Sequence, residues 1–264
     1  MLDFEYIAQS HLSGAGWHVP ICYEDSDIVV INKPSGLIVH GGNGIKNVTL
    51  SDFLRRAFEN NNQSESQDRF MGIVHRLDQF TEGVMVIAKT IKSRNLLVDQ
   101  FKNRQVTKKY FAILKGRLLQ SGGIIDRPIG RDLSARARKS CHHYVPGTEK
   151  PATTKYEVIH RLGAITAVDV HLITGRTHQI RVHFASMNCP VLGDSLYSDQ
   201  KQKKEGYYLQ SYFLEFIQTE KYLPYVVSSY LIGLTLILIL KIFSIKKTRE
   251  IEKKFLEIAN SNEK

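Results

Sequence analysis

Cysteine is scarce in this chain. Cys22, Cys141 and Cys189 are odd in number and far apart in 264 residues. No CxxC pair and no Cys/His cluster has zinc spacing, which argues against a disulfide framework or a structural zinc site. A reducing, cytoplasmic compartment suits such a chain best. The N-terminus MLDFEYIAQS lacks a basic stretch ahead of an apolar core, which argues against a secretory signal. Acidic residues are also in deficit: 26 Asp and Glu face 36 Lys and Arg, a formal charge of +10. That excess favours nucleic acid or an anionic membrane surface as partner and says little about fold. No internal repeat is visible. Hydrophobic content of 42% and charged content of 23% are ordinary for a globular protein that can bury a core as one large domain or two small ones.

Long apolar runs are confined to one place. Residues 226–240 carry no charge, and the stretch reaches Phe243 if Lys241 snorkels. That is at the short end of the roughly 17–25 residues a bilayer needs. Residues 226–243 therefore read as a membrane-associated helix, with a fully buried core helix or an aberrant reading frame as the alternatives. Lys246, Lys247 and Arg249 would then keep the tail on the cytoplasmic side.

Upstream, the pattern is mixed. An apolar run at 28–31 and the stretches GVMVIAKT and KKYFAILKG read as strands. TTKYEVIHRL and AITAVDVHLI alternate apolar and polar residues, as paired half-buried strands do. LSDFLRRAFEN, capped by Thr49 or Ser51, SRNLLVDQFKNRQ and THQIRVHFASM have helical character. NNNQSESQD is an exposed loop, PVLGDSLYS a second loop, and residues 121–151 an irregular basic excursion carrying Arg127, Arg131, Arg136, Arg138 and Lys139. The expectation is an α+β fold on a largely antiparallel or mixed sheet with flanking helices. A loose arm at 1–20 would precede a catalytic domain at 21–221, and an apolar helical tail at 222–264 would follow it.

One stretch, GIVHRLDQFTEG at 72–83, places His75, Arg76 and Asp78 between apolar segments with no cysteine or second carboxylate beside them. On its own, Asp78 fits a helix cap or a turn. Three other motifs change that reading: NKPSGLIVHGG (32–42), KKYFAILKG (108–116) and TGRTHQIRVHFASMNCPVLGDSLY (174–197). HRLD followed about 100 residues later by GRTHQIR and then GD..Y is highly specific. In this order the motifs closely resemble the RluA-type family of RNA pseudouridine synthases, over roughly residues 23–216.

The resemblance implies isomerisation of a uridine in folded RNA, at a central cleft, with no metal and no cofactor. It implies that Asp78 is the catalytic carboxylate, Arg181 its ion-pair partner and Tyr110 the residue that stacks on the extruded uracil. Arg76 is expected to hold the target nucleotide, with His75, Lys33, Arg176 and His178 also on the RNA. Large-subunit ribosomal RNA is the expected substrate and transfer RNA the alternative. A different class remains open: an inactive RNA-binding or membrane-tethered adaptor of the same fold. A monomer is expected. The chain departs from the family pattern at Glu82, where serine is usual. Only about 20 residues precede the catalytic domain, too few for the S4 domain of many relatives. The segment after LQSYFLEF also departs, because the apolar run takes its place.

Overall fold

The computed structural model describes residues 11–14, 17–41, 48–59, 72–135, 137–198, 206–216 and 253. Strands β1 (His11–Gly14), β2 (Trp17–Glu24) and β3 (Ile28–Lys33) come first, then helix α1 (Leu50–Glu59). After these come β4 (Glu82–Ala88), α2 (Ile91–Lys102), β5 (Thr107–Lys115) and β6 (Gly122–Asp126). The short β7 (Gly130–Arg131) and β8 (Lys139–Ser140) lead to β9 (Thr153–Leu162), β10 (Ile165–Leu172), α3 (Gln179–Ala185) and β11 (Leu209–Glu215).

Nine strands form one sheet in the order β1-β2-β3-β4-β11-β5-β10-β9-β6. Every pairing is antiparallel except β11 with β4, so the sheet is mixed, as the alternating pattern predicts. Strand alternation divides the apolar side chains between two faces. Met85 and Ile87 of β4, Tyr110, Ala112 and Leu114 of β5, and Val168 and Val170 of β10 join the main core. Leu50, Phe53 and Leu54 of α1 and Ile180 and Phe184 of α3 cover that face. Val86 and Ala88 point the other way and meet Leu97 of α2. Both helices that cross the sheet after β3 and β4 begin at reciprocal caps. Thr49 donates to Asp52 Oδ2 through its N–H at 2.9 Å and its hydroxyl at 2.8 Å. Thr90 Oγ1 accepts from Ser93 N–H at 3.1 Å.

Two expectations change here. The stretch 1–20 is not simply a loose arm: its residues 11–14 and 17–20 belong to β1 and β2, so a boundary at residue 20 cuts through a strand. The 121–151 excursion is less irregular than its composition implies, because β6 forms the sheet's outer strand and β7 and β8 a small ribbon. Arg136, residues 226–243 and the tail assigned to 222–264 lie outside the described residues, Lys253 apart. Among the described residues no helix is long and apolar enough to cross a membrane.

Candidate active site

The site is assembled where three central strands meet. β11 lies between β4 and β5, and Ser211 pairs with Gly83 on one side and Tyr110 on the other. This register brings the 72–81 loop, which enters β4, up against the middle of β5. The approach is close enough to require glycine. A Cβ on Gly83 would lie 1.9 Å from the carbonyl oxygen of Ser211, and the backbone there has φ +118°.

The Asp78 loop is clamped from below by the NKPSG turn. Lys33 is fully buried, and its Nζ donates to the carbonyls of Pro34, Leu37 and Gln79 at 2.9–3.0 Å. Gly36 N–H donates to the same Gln79 carbonyl at 2.9 Å, and Ser35 Oγ donates to Phe80 O at 3.0 Å. Burial pulls the Lys33 pKa down to about 7, against the attraction of Asp78 and Glu82. Lys33 is therefore a loop clamp and not the RNA contact its charge suggests. A buried ammonium whose three donors meet three carbonyls has none left for a phosphate.

Asp78 faces a cleft of about 100 Å³ that opens to solvent. Leu77, Tyr110, Leu172, Ile180 and Leu209 make it apolar, and Arg76 and Arg176 make it basic. Arg181 is buried and reaches Asp78 Oδ2 through Nη1 at 3.4 Å. Its closer partner is Asp194, gripped through Nε at 2.7 Å and Nη2 at 3.0 Å. The guanidinium also lies 4.4 Å from the ring centre of Tyr207 and 5.0 Å from that of Tyr197. Burial opposes its charge, but Asp194, Tyr207 and Asp78 together raise its pKa above the ordinary value. Arg181 is thus a permanent cation fixed in place before it meets Asp78.

Tyr110 is buried on β5. Burial drives its phenol well above the ordinary range; a hydrogen bond with Ser211 works against that, and the charge of Asp78 adds to it. The ring therefore presents a flat face and a bound proton, not a phenolate. His178 also borders the cleft, with Nε2 4.0 Å from Asp78 Oδ2 and Nδ1 2.8 Å from Tyr197 Oη. Its pKa is lowered, first by burial and also by Arg181 and Lys139, against Asp78 and Asp194. His178 thus stands as a neutral neighbour of the aspartate.

The sequence-predicted residues separate into those the cleft gathers and those it does not. Asp78, Tyr110, Arg181, Arg76, Arg176 and His178 all line it. Lys33 lies beneath it, and His75 turns away. His75 Nε2 accepts the N–H of Val86 at 3.1 Å, and the ring stacks on Phe101 at 4.7 Å. Burial, helped by Lys108, lowers its pKa to about 3, so it serves as a neutral acceptor inside the fold. The expectation that His75 touches RNA is corrected on that ground. Asp194 is the residue that sequence reasoning undervalued as a loop former. The pairing of THQIR with GD thirteen residues on was its available signal. Glu82 opens β4 opposite Gln210, and its charge bears on Lys33.

One carboxylate, a fixed guanidinium and a protonated phenol around a basic, partly apolar cleft suit chemistry on a flat heterocycle carried by a polyanion. A family model described as RNA pseudouridylate synthase matches residues 27–186. The chain belongs to the RNA pseudouridylate synthase family, and its mixed sheet with few helices is that family's fold. It is 41% identical over 201 residues to the ribosomal large subunit pseudouridine synthase D of Buchnera aphidicola subsp. Acyrthosiphon pisum (strain APS), covering 76% of this chain and 59% of that one. Against the protein of the same name from Blochmanniella floridana it is 36% identical over 226 residues, covering 82% and 68%. The solved human RNA Pseudouridylate Synthase Domain Containing 4 superposes with a TM-score of 0.60 at 27% identity, covering 80% of this chain and 85% of that one. The chain thus spans about 59% of the length of the Buchnera relative.

Proposed function

We propose that this protein isomerises uridine to pseudouridine in structured RNA, with large-subunit ribosomal RNA as its substrate. The observation that carries the reading is the Asp78–Arg181 pair, 3.4 Å apart at a cleft that Tyr110 also lines. The relatives named for ribosomal large-subunit pseudouridine synthesis support the choice of RNA.

In this reading the target base leaves its helix and enters the cleft. Extrusion costs a few kcal/mol. Stacking on Tyr110, worth about 1–3 kcal/mol, offsets part of that cost, and contacts from Arg76 and Arg176 to the RNA offset more. The N1–C1′ bond then breaks, the uracil turns, and C5 bonds to C1′. The C5 proton leaves for solvent and N1 takes one up, so the product is an isomer. Asp78 is the reacting carboxylate, either adding to the ring or ribose or taking the C5 proton. Arg181 keeps that carboxylate charged in a cleft whose burial would otherwise favour its neutral form.

The test is to incubate the purified chain with unmodified ribosomal and transfer RNA and map pseudouridine. New pseudouridine in large-subunit RNA, lost in Asp78→Asn, is the expected result. Sites found in transfer RNA alone would move the substrate there, and identical maps for the two proteins would remove the enzymatic reading.

A further inference from the structure

Lys108 precedes Tyr110 by two residues on β5, so strand alternation sends both side chains to one face. It is half-buried, yet its ammonium has neither a hydrogen bond nor a carboxylate partner among the described residues. Its Nζ lies 3.7 Å from where a Cβ on Gly175 would stand, which places it against the cleft wall formed by Gly175 and Arg176. Arg176 is anchored by its Nε, which donates to Pro151 O at 3.0 Å, and its terminal nitrogens have no protein partner among the described residues. Arg104, in the turn between α2 and β5, holds a left-handed backbone with φ 59°. Burial first, then Arg104 and Arg176, lower the Lys108 pKa.

Lys108 of β5 and Arg176 of the loop before α3 therefore meet at one rim of the cleft, with no acid within ion-pair distance of either among the described residues. Crowding like charges is unfavourable, and partial burial of Lys108 weakens the screening that would relieve it. An anion entering from solvent would relieve both. Lys108 and Tyr110 are roughly 7 Å apart along the strand, a separation comparable to that between a nucleobase and the backbone beside it.

We propose that Lys108 and Arg176 form a seat for one backbone phosphate of the RNA, next to the nucleotide held in the cleft. The inference rests on the reading of this chain as an RNA-modifying enzyme. The seat fixes where the strand lies relative to Tyr110 and carries no base preference, since phosphate contacts position an RNA without reading its sequence.

The test measures binding of the full chain to unmodified large-subunit ribosomal RNA, transcribed in vitro, across a series of salt concentrations. Lys108→Gln and Arg176→Gln are each expected to weaken binding about threefold to tenfold and to lower the slope of log K against log salt by about 1. Arg176 lies in the loop before α3, so its variant keeps the test open should Lys108→Gln fail to fold. Lys109→Gln is the control, because Lys109 lies over the Phe213 ring at 5.4 Å and not at the rim. Wild-type affinity and slope in both seat variants would overturn the proposal, as would an equal loss in Lys109→Gln. A wild-type chain that shows the seat's salt dependence but forms no pseudouridine would overturn the enzymatic reading and leave the seat standing.

Discussion

Arg181 donates to both oxygens of Asp194, at 2.7 and 3.0 Å, and reaches Asp78 only with the nitrogen that remains, at 3.4 Å. Its place is therefore set by the GD turn and by the rings of Tyr197 and Tyr207, not by Asp78 itself. Asp194→Ala strands a buried guanidinium, which costs about 3–5 kcal/mol when one partner of a buried pair is removed. Denaturant unfolding is expected to register that loss, and pseudouridine formation is expected to fall with it. A variant as stable as wild type would show that Asp194 does not anchor Arg181.

Lys33 offers a sharper separation of roles. Lys33→Met keeps the stem of the side chain and takes the donor from the Pro34 and Leu37 carbonyls, and the buried Leu37 carbonyl left unpaired costs about 1–3 kcal/mol. Stability is expected to drop and turnover to fall, while affinity for RNA, measured below the melting temperature, stays near wild type. Weakened RNA binding at full stability would return Lys33 to the RNA-contacting set.

Gly83 and Gly163 make a matched pair. Both have positive φ, but a Cβ at Gly83 meets the Ser211 backbone whereas one at Gly163 meets nothing within 4 Å. Gly163→Ala is expected to cost about 1 kcal/mol, the price of a left-handed alanine. Gly83→Ala is expected to cost well over 2 kcal/mol, because β4 and β11 must separate. Thermal melts of the two variants side by side check this.

Acid should unfold the protein through one buried and one half-buried histidine, His183 and His75. His183 is fully buried between Thr154 Oγ1 and the Arg127 carbonyl, and burial lowers its pKa to about 4. His75 is lowered to about 3, also by burial. The unfolded chain takes up protons at both near pH 6.5, and the folded chain does so only near these lower values. Stability is thus complete above about pH 6.5 and falls as pH drops toward 4, by about 1.4 kcal/mol per pH unit for each histidine. Melting temperature against pH is expected to show this fall, and His183→Gln is expected to flatten it.

Much of this was legible beforehand, for identifiable reasons. β9 and β10 alternate apolar and polar residues in sequence, and the motifs carrying Asp78, Tyr110 and Arg181 are distinctive in type and order. The hairpin of β1 and β2 was not legible: Pro20 interrupts HVPICY, and its pairing with β3 is set by the sheet. Lys33 and His75 misled because residue type signals a surface cation and an imidazole ligand. Their actual roles come from partners distant in sequence, Gln79 for Lys33 and Phe101 for His75. Asp194 was obscured in the opposite way, since a GD turn looks like loop geometry until Arg181 is seen against it.

The central claim is that Asp78 carries out the isomerisation, and the C5 proton gives the most direct measurement. Large-subunit ribosomal RNA carrying tritium at uridine C5 should release tritium to water as C5 bonds to C1′. The wild-type chain is expected to release it in step with pseudouridine formed, and folded Asp78→Asn to release none above the protein-free blank. Equal release from both, or none from either with large-subunit or transfer RNA, would contradict the account.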